Sequence, residues 1–333
     1  MKTAVLAIIL FCVMIFPHEL GHFIAARKTG VRVNEFAFGM GPVIWRKQGK
    51  ETLYSIRLFP VGGFCAMEGE DEDSDDPGAF NNKRPWQKIV ILAAGSFMNI
   101  VCAVIIMSIV VGVLGFTTTT VGNVTEGGPA WQAHMEKGDR IVAVNGGETS
   151  DWEEVREAIG ESDGEEIAFT VERDGSFREI AVTPGITQEG AYQIGIECKV
   201  SHNPFRAVIE GAKSTWNITV TMFDTLARLF TGQLGADNLS GPVGMVQMVN
   251  ETSRYGLWYY GFLTALICIN LAIINMLPLP ALDGGRIIFV IVSMITGRPV
   301  SQRVEGAVHF AGIILLFGLM IYVTFNDVIR IFG

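Results

Sequence analysis

The residues best suited to chemistry are His18, Glu19 and His22, which form a His-Glu-x-x-His pattern near the start of the chain. Residues four apart lie on one face of a helix, so both imidazoles can bind one Zn²⁺ while the carboxylate of Glu19 reaches a water on the same metal. This combination is typical of zinc hydrolases. Because the pattern is short and also arises by chance, its meaning depends on the segment that carries it.

That segment is an apolar run from Thr3 to Ala26, in which the motif supplies the only acidic, basic or histidine side chains. One charged side chain at the centre of a membrane helix costs about 2.5 to 3.5 kcal/mol on insertion scales, so such residues are usually functional. The alternative is a signal peptide, with Lys2 as its basic region and Ala25-Ala26 as its cleavage site. The apolar region of a signal peptide does not normally carry a Glu and two His, which favours a membrane-embedded site.

Composition indicates a membrane protein. The chain has 333 residues, 49% of them hydrophobic, and its mean hydropathy of +0.37 is too high for an ordinary soluble protein. The net charge is −9 and the basic residues form no stripe, which argues against a nucleic-acid partner. Three of the five cysteines lie in apolar runs and no Cys-x-x-Cys pair occurs, so neither a disulfide framework nor a cysteine metal site is predicted.

Four apolar stretches are long enough to cross a bilayer, which takes about 20 residues in a helix. They are Thr3 to Ala26, Ile89 to about Phe116, Tyr255 to Leu282, and Gly306 to Asn326. The ten-residue run from Ile287 to Thr296 is too short to cross and predicts an interfacial or re-entrant helix.

The distribution of Lys and Arg predicts the orientation of the spans. Ten basic residues lie between the first two spans and three between the last two, whereas the termini offer only Lys2 and Arg330. The positive-inside rule therefore places both short connections in the cytosol and both termini, with residues 117–254, outside. Arg27 marks the cytosolic boundary five residues after His22, about 7 to 8 Å along a helix, so the metal site is predicted within the membrane near its cytosolic face.

Residues Val31 to Met67 are rich in β-formers and glycine and predict a β-hairpin that turns at Gln48-Gly49-Lys50. Such a hairpin beside a membrane-embedded site either holds an extended peptide by strand addition or simply packs on the helices. The following run, Glu68 to Asp76, is predicted to be a solvated acidic loop, because it lacks the spacing of an EF-hand for Ca²⁺.

The second span carries Gly95 and, one turn later, Asn99. The glycine permits a close approach between helices, and the amide needs a partner in hydrocarbon. Asn99 either joins helices by hydrogen bonding or contributes to holding a substrate or the metal site.

The third span ends in Pro278 and Pro280, which break a helix, and is followed by Asp283, the only carboxylate between Glu251 and Glu305. A zinc hydrolase with two histidines on one helix needs a third ligand from elsewhere and an open fourth position for water. Asp283 is the predicted third ligand. The alternative is a helix-end charge at the cytosolic boundary.

From Val121 the composition becomes that of a small soluble domain, with one helix at Pro129 and another from Trp152 to Ile159. Its Gly-Asp-x-Ile-x-x-Val-Asn-Gly string resembles that of PDZ domains of the bacterial kind, in which the ligand-binding strand comes last. The resemblance implies that the segment Tyr192 to Ile196, with Ile194 and Gly195, is the carboxylate loop and edge strand that take up a chain terminus or an extended segment.

Residues 205–234 have amphipathic helical spacing and are followed by a predicted turn at 240–244. The helix is expected to pack on the soluble domain or the bilayer surface, or else to guide substrate toward the membrane.

Together these motifs resemble the site-2 protease family, most closely its bacterial PDZ-containing intramembrane zinc metalloproteases. The shared features are His-Glu-x-x-His, the glycine-rich hairpin, Gly-x-x-x-Asn, a PDZ insertion, Gly-Pro-Val-Gly, and Asn-x-x-Pro-x-Pro-x-Leu-Asp-Gly-Gly, in that order along essentially the whole chain. Members commonly have Gly-Pro where this chain has Gly95-Ser96, and some have two PDZ domains where only one fits here.

The predicted fold is an α-helical polytopic membrane protein with four transmembrane helices, a membrane-associated β-hairpin and an inserted α+β PDZ domain. Its segments are 1–116, the first half of the membrane core; 117–200, the extracytoplasmic PDZ domain; 201–254, the amphipathic region and turn; and 255–333, the second half of the core. The resemblance implies an inner-membrane zinc endopeptidase of bacteria that cuts single-pass substrates, such as anti-sigma factors or signal-peptide remnants, within the bilayer.

The expected roles follow. His18, His22 and Asp283 hold one Zn²⁺, and Glu19 transfers the proton. By resemblance, Asn275 contacts the substrate backbone, and Asn99, Gly62 and Gly63 are further predicted substrate contacts. An extended peptide or C-terminus is the expected partner of the PDZ domain. A non-catalytic, membrane-anchored PDZ adaptor is the main alternative, against which the intact Glu19 and Asp283 argue. A metal transporter is disfavoured because the spans carry no further row of ligands.

Overall fold

The computed structural model describes residues 2–187, 190–234, 241–298 and 300–332. The chain forms two compact units. The first, here called the membrane unit, comprises Met1–Val110 and Gly211–Gly333, and the second, the inserted domain, comprises Val111–Glu210. The segment 117–200, proposed as a PDZ domain, lies within the inserted domain.

The secondary structure is as follows. The helices are α1 (Lys2–Lys28), α2 (Pro85–Leu114), α3 (Pro129–Gln132), α4 (Trp152–Gly160), α5 (Pro204–Phe230), α6 (Pro242–Thr252), α7 (Leu257–Asn275), α8 (Asp283–Thr296) and α9 (Gln302–Phe332). The strands are β1 (Val33–Gln48), β2 (Leu53–Met67), β3 (Phe116–Val124), β4 (Arg140–Val144), β5 (Gly147–Glu148), β6 (Ile167–Arg173), β7 (Ser176–Val182), β8 (Gly185–Ile186), β9 (Tyr192–Gln193) and β10 (Ile196–Ser201).

Four helices in the described ranges are long and apolar enough to cross a membrane, as the sequence predicts. They are α1, α2, α7 and α9, with spans Thr3–Lys28, Pro85–Leu114, Leu257–Asn275 and Arg303–Ile329. The third differs from the prediction, because it ends at Asn275 rather than continuing to Leu282. Pro278 has no N–H to donate and restricts the residue before it, so the helix stops just upstream of the first proline.

Helix α6 lies where the sequence predicts only a turn, and Ser240 of that turn is outside the described residues. Pro242 occupies the first helical turn, where its missing N–H costs nothing. The buried carboxylate of Asp327, on α9, accepts hydrogen bonds from the N–H groups of Gly241 (2.9 Å) and Gly244 (2.8 Å). The cap therefore comes from a residue more than eighty positions away, which local sequence patterns do not reveal.

Strands β1 and β2 form the predicted hairpin, in antiparallel register from Val33 opposite Met67 to Gln48 opposite Leu53. Near its tip, large apolar side chains such as Ile44 and Phe59 are exposed. At its base the hairpin packs against α1, where the rings of Phe16 and Phe36 lie 5.9 Å apart.

A small core holds the base of the hairpin, α1, α2 and α8 together. Ala26, Val33 and Ile91 are fully buried, and Ile287 of α8 packs with them. Where these side chains lie in membrane-spanning helices, their contacts stabilise by close packing rather than by removal from water, because lipid tails are equally apolar. This core therefore fixes the four elements from which the predicted metal ligands and their neighbours project.

The loop of residues 68–76 corrects an expectation, because it is not simply a solvated acidic segment. Glu70 and Asp71 both form ion pairs with Arg286 of α8, the latter at 2.8 Å, and Asp76 pairs with Arg32 at 2.7 Å. Burial raises the pKa of the Glu70 carboxyl, and the charge of Arg286 opposes that rise. The loop thus docks on the first turn of α8.

The inserted domain is built on a sheet with strand order β10-β3-β4-β6-β7, to which β5 adds beside β4. Its core includes Val121, Ile141 and Phe169, all fully buried. Helix α4 packs on the sheet and is capped at its N-terminus by Asp151, whose side chain accepts a hydrogen bond from the N–H of Glu153. Strand β10 is the last in the chain and lies at the edge of the sheet.

Candidate metal centre

Helix α1 brings His18 and His22 together on one face, as their spacing predicts. Their Nε2 atoms are 3.2 Å apart and both side chains are buried. The imidazole planes are nearly perpendicular, at 87°. Two nitrogen ligands therefore converge on one point beside α1.

Asp283 joins them from the first residue of α8. Its Oδ2 atom is 3.3 Å from His18 Nε2 and 3.4 Å from His22 Nε2. In a tetrahedral zinc site with metal–ligand bonds of 2.0 to 2.1 Å, neighbouring ligand atoms are about 3.3 to 3.4 Å apart. The three atoms thus form a triangle of the size that Zn²⁺ requires. Among the described residues, His18, His22 and Asp283 are the cluster of side chains that could hold a metal ion.

The hydrogen bonding of the three side chains in this triangle is also consistent with a bound cation. Within the described ranges, the buried Oδ2 of Asp283 receives no hydrogen bond. An anionic oxygen without a donor is costly unless a cation lies against it. The donor set of two imidazoles and one carboxylate is also a known catalytic zinc set that leaves the fourth position open.

The orientation of His22 is set by the second span. Its Nδ1 atom lies 2.9 Å from the carbonyl oxygen of Ile91 on α2. Since a carbonyl can only accept, Nδ1 carries the proton and donates it, and the lone pair of Nε2 faces the centre. The sequence offers no sign of this partner, because the interaction uses a backbone atom.

Gly95 explains how α2 comes so close to the imidazoles of His18 and His22. A Cβ built at this position would lie 2.6 Å from Cε1 of His18, too close for any other residue. The predicted close approach of helices is therefore present, and it brings α2 against the imidazoles as well. On the α1 side a Cβ built at Gly21 would lie 2.2 Å from the carbonyl oxygen of Ala94 and 3.0 Å from Cα of Gly95. Asn99 lies one turn further along α2, fully buried, and neither atom of its amide has a hydrogen-bond partner among the described residues.

Glu19 lies beside the hairpin. A Cβ built at Gly63 of β2 would lie 3.5 Å from Cγ of Glu19 and 2.9 Å from the carbonyl oxygen of Ala37, so β2 passes directly over the carboxylate-bearing side chain. The neighbouring Gly62 faces Met40 instead. Of the two glycines predicted to contact substrate, the structure thus brings Gly63 to the site and leaves Gly62 toward the other strand.

Asn275 completes the set of side chains near the triangle. It is the last residue of α7, and its Nδ2 atom is 3.2 Å from His18 Nε2. The segment 276–282 then returns the chain to Asp283, so both ends of this segment contact the same imidazole. The predicted ligands and Asn275 therefore come together, whereas Asn99 is not in contact with the triangle by any described hydrogen bond.

Arg286 is a neighbour of the site that sequence reasoning did not identify. It lies one turn after Asp283 and pairs with Glu70 and Asp71 of the acidic loop. Since these residues are more than 200 positions apart, no local pattern joins them. The pairs anchor the helix whose first residue is the third predicted ligand.

The inserted domain carries a separate groove of about 560 Å³ between α4 and the segment before β10. It is lined by all three residues of the predicted ligand loop, Ile194, Gly195 and Ile196, and by Arg156 of α4. Ile194 is buried in the core, and Gly195 has φ of +78°. The segment 188–189, just upstream, is outside the described residues.

Comparisons with known proteins cover nearly the whole chain. The sequence profile described as Peptidase family M50 matches residues 6–319. A protein of Clostridium acetobutylicum is 38% identical over 330 residues, covering 98% of this chain and 97% of its own. The regulator of sigma-W protease RasP of Bacillus subtilis is 30% identical over an alignment 418 residues long, which covers 99% of this chain and 99% of its own. Among solved structures, the PDZ domain of an SdrC-like protein from Listeria innocua is 22% identical, covering 26% of this chain and 97% of its own with a TM-score of 0.23.

Proposed function

The chain belongs to peptidase family M50 and is a zinc metalloprotease of the site-2 type, and from this premise we propose that it cuts single-pass membrane proteins within the bilayer. In this proposal His18, His22 and Asp283 hold the zinc and Glu19 is the general base. The observation that carries it is the triangle of Nε2, Nε2 and Oδ2 atoms, with sides of 3.2 to 3.4 Å, formed at a membrane-length helix.

The chemistry divides between the metal and the chain. A bound Zn²⁺ supplies Lewis acidity toward a peptide carbonyl and a water. Glu19 accepts a proton from the attacking water and later donates it to the leaving amine. The amide of Asn275, beside His18, holds the substrate backbone close to the reacting carbonyl. Gly95 leaves the imidazoles room to keep this arrangement.

The hairpin is the proposed holder of the substrate. A transmembrane helix has its peptide bonds shielded by its own hydrogen bonds, so it must unwind before it is cut. Residues 35–38 of β1 pair on both sides, with residues 63–66 and with residues 53–56 of β2. Residues 63–66 pair with β1 alone among the described residues, so this part of β2 keeps an outer edge that can accept an extended segment. Gly63 lies against Glu19, which brings the edge of β2 next to the proposed base. Asn99 and Gly62 remain proposed substrate contacts.

Substrates are expected to be cut inside the membrane, toward the cytosolic end of their helix. Purified protein in liposomes, given a library of single-pass reporters, should release fragments whose new termini map within the transmembrane segment. Anti-sigma factors and signal-peptide remnants are the natural classes to include. Cuts that map only to soluble flanking segments, or binding without cleavage as expected of an adaptor, would contradict the proposal.

The proposed topology has the hairpin in the cytosol and both termini and the inserted domain outside, in a bacterial inner membrane. It follows from the ten basic residues of the first connection. Single cysteines at Gln48 and Ser176, both exposed, are expected to react with impermeant reagents from opposite sides of the membrane. The background should lack the native cysteines. Labelling of both positions from one side would refute this orientation.

The inserted domain is proposed to be a PDZ module that selects substrates by binding a C-terminus or an extended peptide. Its sequence string, its edge strand β10 and the groove against α4 support this role. Under the proposed topology the domain is on the far side of the membrane from the cytosolic end of α1. It therefore acts on access to the site rather than on the chemistry.

Gly195→Glu should change which substrates are cut, because it adds bulk and negative charge to the proposed carboxylate loop. Zinc content and cleavage of an already shortened reporter are expected to stay at the wild-type level. Gly175→Glu is a matched control, since Gly175 also has a positive φ (+77°) but lies in the β6–β7 turn with open space around it. Equal losses on shortened and full-length reporters in Gly195→Glu would rule out the filter role.

A further inference from the structure

The segment 276–282 decides where the third proposed ligand lies, and it contains an unusual residue. Ala281 has φ of +71°, in the left-handed region that residues with a Cβ rarely adopt. Two positions later, Asp283 places Oδ2 against both imidazoles. A change of Ala281 to the ordinary negative φ would redirect the chain just before this carboxylate. Something must therefore hold the unfavourable conformation.

The holder is a histidine on the last span. The N–H of Ala281 donates a hydrogen bond to Nδ1 of His309, at 2.9 Å. The imidazole is mostly buried, and its ring lies 5.8 Å from that of Phe289 on α8. Because Nδ1 accepts, the ring is neutral and its proton is on Nε2. Nε2 has no hydrogen-bond partner among the described residues; the nearest carboxylate oxygen given for it, Oε1 of Glu305 one turn earlier, is 3.8 Å away. The bond to Ala281 is therefore the hydrogen bond the ring makes there.

A second contact ties the same helix to the same turn. Gly312 lies three residues after His309, hence on the same face of α9. A Cβ built at Gly312 would lie 2.7 Å from the carbonyl carbon of Pro280, so α9 touches the turn directly at the residue before Ala281. The last span thus meets the turn at two consecutive residues, once by close packing and once by a hydrogen bond.

We propose that His309 is a positioning residue for the metal centre: its Nδ1 atom holds Ala281 in the left-handed conformation and so places Asp283 among the ligands. The inference rests on the proposed ligand set. It also explains why an ionisable residue lies in a membrane span, where a polar side chain is costly unless it serves a purpose. The last span would then belong to the functional centre rather than only to the anchor.

The test compares two substitutions of nearly equal shape. His309→Asn keeps an acceptor oxygen at the place of Nδ1, whereas His309→Leu has the same branching without an acceptor. His309→Leu is expected to weaken zinc binding by about 10- to 100-fold, the range found when a group that orients a ligand is removed. His309→Asn is expected to stay near wild type. Zinc affinity is measured by chelator competition on the purified full chain.

A second readout needs no metal. In metal-free protein, the amide of Ala281 should exchange slowly with deuterium in the wild type and in His309→Asn, and faster in His309→Leu. Adding Ala281→Gly to His309→Leu should recover zinc affinity, because glycine adopts a positive φ without steric cost. A general loss of folding would not be repaired by this change.

Three outcomes would overturn the inference: equal zinc affinity in His309→Leu and the wild type, equal losses in His309→Asn and His309→Leu, or no recovery with Ala281→Gly. The result for Asp283→Asn separates this failure from failure of the proposed function. If Asp283→Asn leaves zinc affinity unchanged, the ligand set itself is wrong. If it weakens zinc binding while His309→Leu does not, only the positioning role of His309 is lost.

Discussion

Replacing Glu19 with Gln is expected to abolish proteolysis while leaving zinc bound. The amide has the shape of the carboxylate but cannot accept the proton of the attacking water. General base catalysis is worth about 10²- to 10⁴-fold in rate, so the cleavage rate should fall by at least about 10²-fold. Glu19 is not one of the three atoms of the triangle, so zinc content is expected to remain one per chain.

The measurement is the initial rate of cleavage of a single-pass reporter, with zinc content determined on the same preparation. Glu179→Gln is a suitable control, because Glu179 is exposed on β7 of the inserted domain and makes the same change of charge. It should cut at the wild-type rate. Cleavage by Glu19→Gln at a rate close to wild type would show that another group takes the proton.

Asp283→Asn should reduce zinc affinity and cleavage together. The substitution preserves shape but replaces an anionic ligand by a neutral amide beside a divalent cation. Loss of a direct ligand should exceed the 10- to 100-fold loss typical of residues that only orient ligands. Two imidazoles alone would remain, with Nε2 atoms 3.2 Å apart.

Chelator competition on purified protein measures the zinc affinity, and the chelator should also abolish cleavage in the wild type until Zn²⁺ is added back. Asp73→Asn, a change in an exposed residue of the acidic loop, is the control for the loss of one negative charge. Unchanged affinity in Asp283→Asn would mean that the third ligand is another residue.

The centre itself was largely predictable from the sequence. His18 and His22 are four residues apart on a helix, so any helix through them brings the imidazoles to one face. Asp283 could be predicted to join the two histidines because no other carboxylate lies between Glu251 and Glu305. The length of the apolar runs likewise predicts four spans, and β-forming residues and glycine around a polar turn predict the hairpin, since these properties are local.

Contacts between distant segments were not predictable. The sequence predicts a solvated acidic loop, because runs of charged residues are usually solvated. Only the folded chain brings Arg286 to Glu70 and Asp71. Helix α6 was missed because its cap, Asp327, comes from another helix. His309 does carry a signal that could have identified it, since a histidine inside a membrane span is a functional candidate by default.

The sequence by itself determined the chemistry: which side chains can bind zinc, which can move a proton, and which segments are apolar enough to span a membrane. The tertiary structure alone decided how the proposed ligands are oriented. The backbone carbonyl of Ile91 orients His22, and the missing side chain of Gly95 leaves room for the imidazoles. His309 accepts a hydrogen bond from the N–H of Ala281, whose φ is strained. These interactions depend on backbone atoms and on shapes that meet only after distant segments pack, so no pattern of side chains along the chain encodes them visibly.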